Sequence, residues 1–443
     1  MTLEGYIVQH AWVHPTRTAV IDAKGSLNYA QLMKRVALQA AKLRVKGRIV
    51  PLPATPTVDF VVQYLSIHLA GGAAMPLPAE TSIKGAKPGT KGRAPWGKAG
   101  QTVAPGTADV LLTTGTTGRP KAVMLSHNAL LANAENLIDA QGYSDKLRFV
   151  VCGPLNHIGS LSKLWPTLMA GGSLHLLDGL RQAEPLLRAI GRTRGPKASF
   201  LVPAALRMLL AFAHDKLQAL SDRIDFIETG AAPISPAEME SLRIALPHSR
   251  LYNTYASTET GIVATHDFSQ GDCQAGLLGR PMKHSRISID AEGRIICHGA
   301  TLMTGYLDDP ADAQATLADQ GFLTADQGYI DDQGRLILTG RIDDLINVGG
   351  LKVSPVEVEE AARLMPGVAD CLCLPVAHPL MGQALKLLVV NDDGHSLDKR
   401  ALAQFLRTRL EAHKVPTLFE QTDHIRRTFN GKADRKSYLT PDD

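Results

Sequence analysis

The feature that most constrains this chain is one short run, Thr113-Thr114-Gly115-Thr116-Thr117-Gly118-Arg119-Pro120-Lys121, set between two apolar segments. Val110 to Leu112 reads as a strand, Ala122 to Leu125 as a second strand, and Ser126 as the N-cap of a helix over His127 to Asp139. The run is therefore a loop joining two strands. Its glycines let backbone approach an anion, its hydroxyls donate hydrogen bonds and Lys121 supplies charge, so the loop suits a polyphosphate. It is not a Walker loop: GxxxxGK[ST] places the second glycine directly before the lysine, whereas Arg119 and Pro120 intervene here and Ala122 follows.

The surroundings carry an α/β pattern. Short β-like runs, Thr18 to Asp22 and Arg48 to Leu52, alternate with helix-like ones such as Tyr29 to Val45, and strands followed by helices continue to about residue 265. From Ile287 short strands with turns at Asp290 to Gly293 and Asp331 to Gly334 predict an antiparallel β subdomain. After Gly340 a compact α+β segment begins. Its Ser354-Pro355-Val356-Glu357 has the form of a capping box with Pro at the first helical position, opening a helix to about Leu364. A chain of 443 residues needs more than one core, and the boundary falls near Arg341 to Asp344. Residues 81–106, rich in Lys, Gly, Ala and Pro and poor in large aliphatics, read as a flexible basic surface loop.

Composition excludes some partners. The net charge of +4 is spread along the chain and aromatics make up 5%, which leaves no footprint for nucleic-acid binding. Five cysteines, with no CxxC pair, suit buried free thiols in a reducing compartment. No apolar run reaches the ~18 residues of a membrane span, and Met1 to Val13 lacks the form of a leader, so a cytoplasmic protein is expected.

The Thr113–Lys121 loop resembles the phosphate-binding signature [ST]SGTTGxPKG of the adenylate-forming superfamily of acyl-CoA synthetases, peptide-synthetase adenylation domains and luciferases; Thr114 and Ala122 depart from it and are both small. The resemblance extends over nearly the whole chain. Asn253 to Thr260 is similar to YGxTE, which implies that Tyr255 stacks on adenine, that Glu259, with Thr117, holds Mg²⁺, and that Ala256 narrows the acyl channel. Gly230-Ala231-Ala232-Pro233 resembles the adenine-binding segment, and Thr324 to Gly328 resembles TGDxG, making Asp326 and Arg341 ribose contacts. Gly340 to Pro355 matches GRxDDxIxxGGxxVxP, which implies a hinge at Asp343 within 341–345, between a large domain over 1–340 and a mobile one over 346–443 whose Gly349 and Gly350 face thioester formation. Arg427 to Lys432 resembles RTxxGK, whose lysine is catalytic in the first step.

Pro154 to Ser160 resembles PLFHxxG of acyl- and aryl-CoA ligases, which puts His157 beside the acid. No Asp occupies residues 154 to 168, which disfavours amino acids, and Pro166 stands where o-succinylbenzoate ligases carry an arginine. Lys163 reads as a snorkelling surface lysine, with an acidic substrate group as the alternative partner. The resemblance implies ATP-dependent activation of a carboxylic acid (aryl or fatty) to an acyl-adenylate, with Lys121, His157 and Lys432 as the catalytic set. Thioester formation with coenzyme A, or loading of a carrier-protein phosphopantetheine, would follow. The region before the phosphate loop is shorter than the family's usual length.

Overall fold

A computed structural model describes residues 2–79, 93–94, 97–98, 101–113, 121–307, 321–342, 345–349, 351–379, 381–392, 396–427 and 433–439. Its contacts divide the chain into two units, one built from Met1–Ser288, Ile296–Leu323 and Asp331–Leu336, the other from Ile289–Ile295, Thr324–Ile330 and Ile337–Asp443. The expected hinge residue Asp343 lies outside the described residues.

The first unit holds two sheets. In the larger, Thr18–Ile21, Ser173–Leu176, Arg148–Val151, Lys197–Phe200, Ile224–Gly230 and Arg250–Ser257 lie side by side and parallel, and Gly261–Asp267 and Leu277–Pro281 continue it antiparallel. Near-continuous apolar strands such as Phe149-Val150-Val151 are covered on both faces, as parallel strands require. The smaller sheet orders Gly305–Tyr306, Lys121–Ser126, Thr107–Thr113, Ala73–Leu77 and Ile49–Pro53. Thr107–Thr113 and Lys121–Ser126 pair antiparallel with Thr113 opposite Lys121, so the loop between them starts and ends at neighbouring points. Ser126 caps the following helix, His127–Gln141, by accepting from the Ala129 N–H, as expected.

Of residues 81–106, Arg93–Ala94 pairs with Gly97–Lys98, and the backbone of Gln101 to Val103 hydrogen-bonds to that of Gly47 and Ile49, so this last part lies along a strand edge. A buried polar chain ties the first unit together. His68 donates from both ring nitrogens, to Glu4 Oε1 at 3.1 Å and to Asp109 Oδ1 at 3.0 Å; Tyr64 donates to Asp109 Oδ2 at 2.7 Å and Trp165 Nε1 to Tyr64 at 3.0 Å.

In the second unit Val368–His378 and Gly382–Asn391 form a long antiparallel ladder, joined by Leu418–Gln421 and the hairpin Ile346–Val348/Leu351–Val353. Helices Pro355–Arg363 and Lys399–Arg407 supply Val358, Leu402 and Leu406 to its core. The turns at Asp290 and Asp331 form as expected, each carboxylate accepting two backbone N–H groups. The capping box at Ser354 does not. Pro355 does open the helix, but Ser354 Oγ is buried without a partner among the described residues, and Glu357 is turned to Lys414 at 2.8 Å. Among the described residues no helix is long and apolar enough to cross a membrane, and none of the five cysteines is in a disulfide; four of them are buried.

Candidate active site

Lys121 is the first residue of its strand, and on the next strand over lies Tyr306, opposite Val123. The Lys121 Nζ sits over the Tyr306 ring at 4.8 Å, and the Tyr306 hydroxyl donates to Glu259 Oε1 at 3.4 Å. One aromatic side chain thus bridges the lysine at the end of the phosphate loop and the carboxylate expected to hold a cation. The sequence reading missed Tyr306; its only local signal is a short apolar run, Gly305-Tyr306-Leu307, beyond the Glu259 turn.

Glu259 is set by a tight turn. The Ser257 and Thr260 hydroxyls each accept the other's backbone N–H, and Thr301 Oγ1 donates to the Thr260 carbonyl at 2.8 Å. Asn133, from the helix that follows the Lys121 strand, accepts the Ile262 N–H at 2.6 Å. A Cβ on Gly261, whose φ is +71°, would lie 2.7 Å from the Thr301 carbonyl oxygen, so this close approach needs glycine. Glu259 is half-buried, and its carboxylate is a hard oxygen donor of the kind that could hold Mg²⁺.

Gly230 ends its strand opposite Thr254, and a Cβ there would lie 2.6 Å from the Thr254 carbonyl oxygen. Ala231 follows at φ +66°, a left-handed conformation that costs an L-residue roughly 1–2 kcal/mol, and such strain concentrates at ligand sites. Ala232 completes the segment as a half-exposed residue of a bend. The structure so brings the Gly230–Ala232 bend beside the strand carrying buried Tyr255 and half-buried Ala256, where the register with Gly261–Asp267 shifts.

His157 is the N-cap of a short helix, Ile158–Leu161, half-buried, with Asn156 Nδ2 at 3.5 Å from its Nε2. Ile158, Phe200 and Ala256 pack against one core cluster. Lys163 is not a surface residue: its ammonium is buried and donates to buried Glu228 at 2.7 Å. The long side chain is held inward by that acid, which lies 65 positions away in sequence.

In the second unit Asp326 and Arg341 form an ion pair at 3.2 Å, and the Asp326 N–H donates to Thr324 Oγ1. Gly349 has φ +60° in the connection between Val348 and Leu351, with its N–H donating to Met381 O. Thr113 is described as the last residue of its strand. Thr114, Gly115, Thr116, Thr117, Gly118, Asp343, Gly350 and Lys432 lie outside the described residues.

Comparison with known proteins gives the family. The AMP-binding enzyme model matches residues 91–307, and the AMP-binding enzyme C-terminal domain model matches 357–432. The chain belongs to this adenylate-forming family. It is similar to indoleacetate–CoA ligase of Aromatoleum aromaticum (31% identity over 73% of this chain and 65% of that one) and to 4-coumarate–CoA ligase of Vanilla planifolia (28% over 73% and 62%). The matches thus span less than two thirds of the length of these relatives. Feruloyl-CoA synthase of Amycolatopsis is 28% identical over 97% of both chains. In fold the chain resembles ATP-bound MatB from Rhodopseudomonas palustris, with a TM-score of 0.84 at 23% identity, covering 99% of this chain and 98% of that one.

Proposed function

We propose that the protein activates a carboxylic acid with ATP to an acyl-adenylate and transfers the acyl group to coenzyme A. The observation that carries this is the Lys121–Tyr306–Glu259 arrangement at the end of the phosphate-loop strand. In the first step a carboxylate oxygen forms a bond to the α-phosphorus and the bond to pyrophosphate breaks. In the second, the thiol sulfur bonds to the acyl carbon, its proton goes to solvent and AMP leaves. Neither step needs a protein nucleophile, so the chain's contribution is positioning and charge. Glu259 and Thr117 would hold Mg²⁺, which would supply charge neutralisation at the phosphates. Lys121 and Lys432 supply fixed positive charge, Tyr255 and the Gly230–Ala232 bend the adenine surface, and Asp326 with Arg341 the ribose contacts. His157 and Ala256 border the acid. The named substrates of the similar ligases, indoleacetate, coumarate and ferulate, favour an aromatic acid.

The test is acid-dependent pyrophosphate release across aryl, short-chain and long-chain acids with ATP, Mg²⁺ and either coenzyme A or a holo carrier protein. Turnover with an aryl acid and coenzyme A is expected. Preference for the carrier would reassign the acceptor, and no release with any acid would overturn the ligase reading.

A further inference from the structure

The helix that follows the Lys121 strand, His127–Gln141, carries two fully buried asparagines, Asn133 and Asn136, on one face. Asparagine is a weak helix former, and burying its amide is costly unless the polar atoms are bonded. Both amides turn to one strand residue just beyond the Glu259 turn. Asn133 Oδ1 accepts the Ile262 N–H at 2.6 Å, and Asn136 Nδ2 donates to the Ile262 carbonyl at 2.9 Å. The two side chains thus serve Ile262 as the backbone of a neighbouring strand would. Asn136 also bonds the Ser285 hydroxyl and accepts the His284 N–H. Asn133 Nδ2 instead donates to Ala129 O at 2.7 Å and reaches the Thr301 carbonyl at 3.4 Å.

Thr301 begins the segment that joins Glu259 back to Lys121. Its hydroxyl donates to the Thr260 carbonyl at 2.8 Å, and the Met303 N–H donates to the Glu259 carbonyl at 2.8 Å. Directly after, the N–H groups of Thr304 and Leu307 donate to Met124 and Ala122, on the strand that Lys121 opens. A closed frame results. It runs from Lys121 along its strand into the helix, across Asn133 to Ile262 and Thr301, and back through residues 303–307 to the Lys121 strand. The Glu259 turn is bonded into it at two carbonyls and at the Ile262 N–H. Gly261 shows how close the parts lie, since a Cβ there would be 2.5 Å from Asn133 Oδ1.

We propose that Asn133 is a positioning residue for adenylation: through Ile262 and Thr301 it holds the Glu259 carboxylate in register with Lys121, so that both can meet one Mg²⁺-bound polyphosphate. The inference rests on the ligase reading, in which Glu259 would hold Mg²⁺. Charges fixed before the ligand arrives need no reorganisation when it binds, which is what a rigid frame contributes.

The experiment titrates Mg²⁺ against the whole chain, reading pyrophosphate release and, separately, calorimetric binding of ATP with and without Mg²⁺. The variants are Asn133→Ala, Thr301→Val, which removes the bond to Thr260 with little change of shape, and Leu137→Ala, a buried apolar side chain of the same helix. Asn133→Ala and Thr301→Val are expected to raise the Mg²⁺ concentration for half-maximal release about fivefold and to cut the Mg²⁺-dependent gain in ATP affinity by a similar factor. Saturating Mg²⁺ should restore their rate to within about twofold, whereas a merely structural loss would lower the rate at every Mg²⁺ concentration. Leu137→Ala should lose at least as much stability to urea and keep both Mg²⁺ readouts within about twofold of wild type. Should Asn133→Ala not fold, Thr301→Val decides alone. Unchanged Mg²⁺ dependence in the polar variants, or an equal shift in Leu137→Ala, would overturn the proposal and leave Asn133 a structural residue of the helix. If no acid is turned over, the ligase reading fails by itself and the ATP affinities decide. A Mg²⁺ gain reduced in the polar variants but not in Leu137→Ala then supports the role of Asn133; an equal gain in all chains, or none in the wild type, overturns it.

Discussion

Tyr306 is the side chain through which Lys121 and Glu259 meet, and its two contacts separate by substitution. Tyr306→Phe keeps the ring under the ammonium and removes the bond to Glu259, worth about 1 kcal/mol, so adenylation is expected to slow about fivefold. Tyr306→Ala removes both contacts and should slow it further; equal rates for the two variants would show that the hydroxyl alone matters. Gly230→Ala places a methyl 2.6 Å from a backbone oxygen that cannot swing away, so the bend must shift. Such overpacking costs roughly 1–3 kcal/mol, and the KM for ATP, read from pyrophosphate release, is expected to rise while the acid KM stays within about twofold.

At the scale of elements, the His68 chain joins helices Leu3–Val13, Val58–Leu69 and Leu164–Met169 to the strand that leads into the phosphate loop. Burial alone would lower the His68 pKa, but hydrogen bonds and charge from Asp109 and Glu4 raise it to about 10. Burial would raise that of Glu4, but His68 brings it down to about 2. A raised histidine contributes stability fully below its unfolded value of 6.5 and loses it as pH rises toward 10. A depressed carboxylate contributes above 4.5 and loses it as pH falls toward 2. The network is therefore strongest between about pH 4.5 and 6.5. Urea unfolding of His68→Gln should show about 3–5 kcal/mol lost there and a flatter pH profile on both sides. The helix at Pro355 makes the opposite point. If Ser354 capped it, Ser354→Ala would cost about 1 kcal/mol; with its hydroxyl buried and unpartnered among the described residues, the variant is expected to unfold within about 0.5 kcal/mol of wild type.

For the whole molecule, the proposed two-step reaction assigns the steps to different residues. Lys432→Ala is expected to abolish adenylate formation and spare thioester formation from supplied acyl-adenylate, and Asp343→Pro to do the reverse by stiffening the proposed hinge; equal loss of both steps in either variant removes that residue's role. The chain order by itself determined the α/β class, the loop between paired strands, the helix capped by Ser126 and the Asp–Gly turns, because each rests on local periodicity, capping and turn chemistry within a few residues. It also carried the spacing of the motifs around Lys121, Glu259, Asp326 and Arg341, and the structure pairs the last two directly. Only the tertiary structure decided that Tyr306 bridges Lys121 and Glu259, that Glu357 leaves Ser354 for Lys414, and that Lys163 points inward to Glu228 rather than out to water. In each case the partner lies 47 or more positions away. Its influence comes from sheet order and burial, which no local pattern encodes.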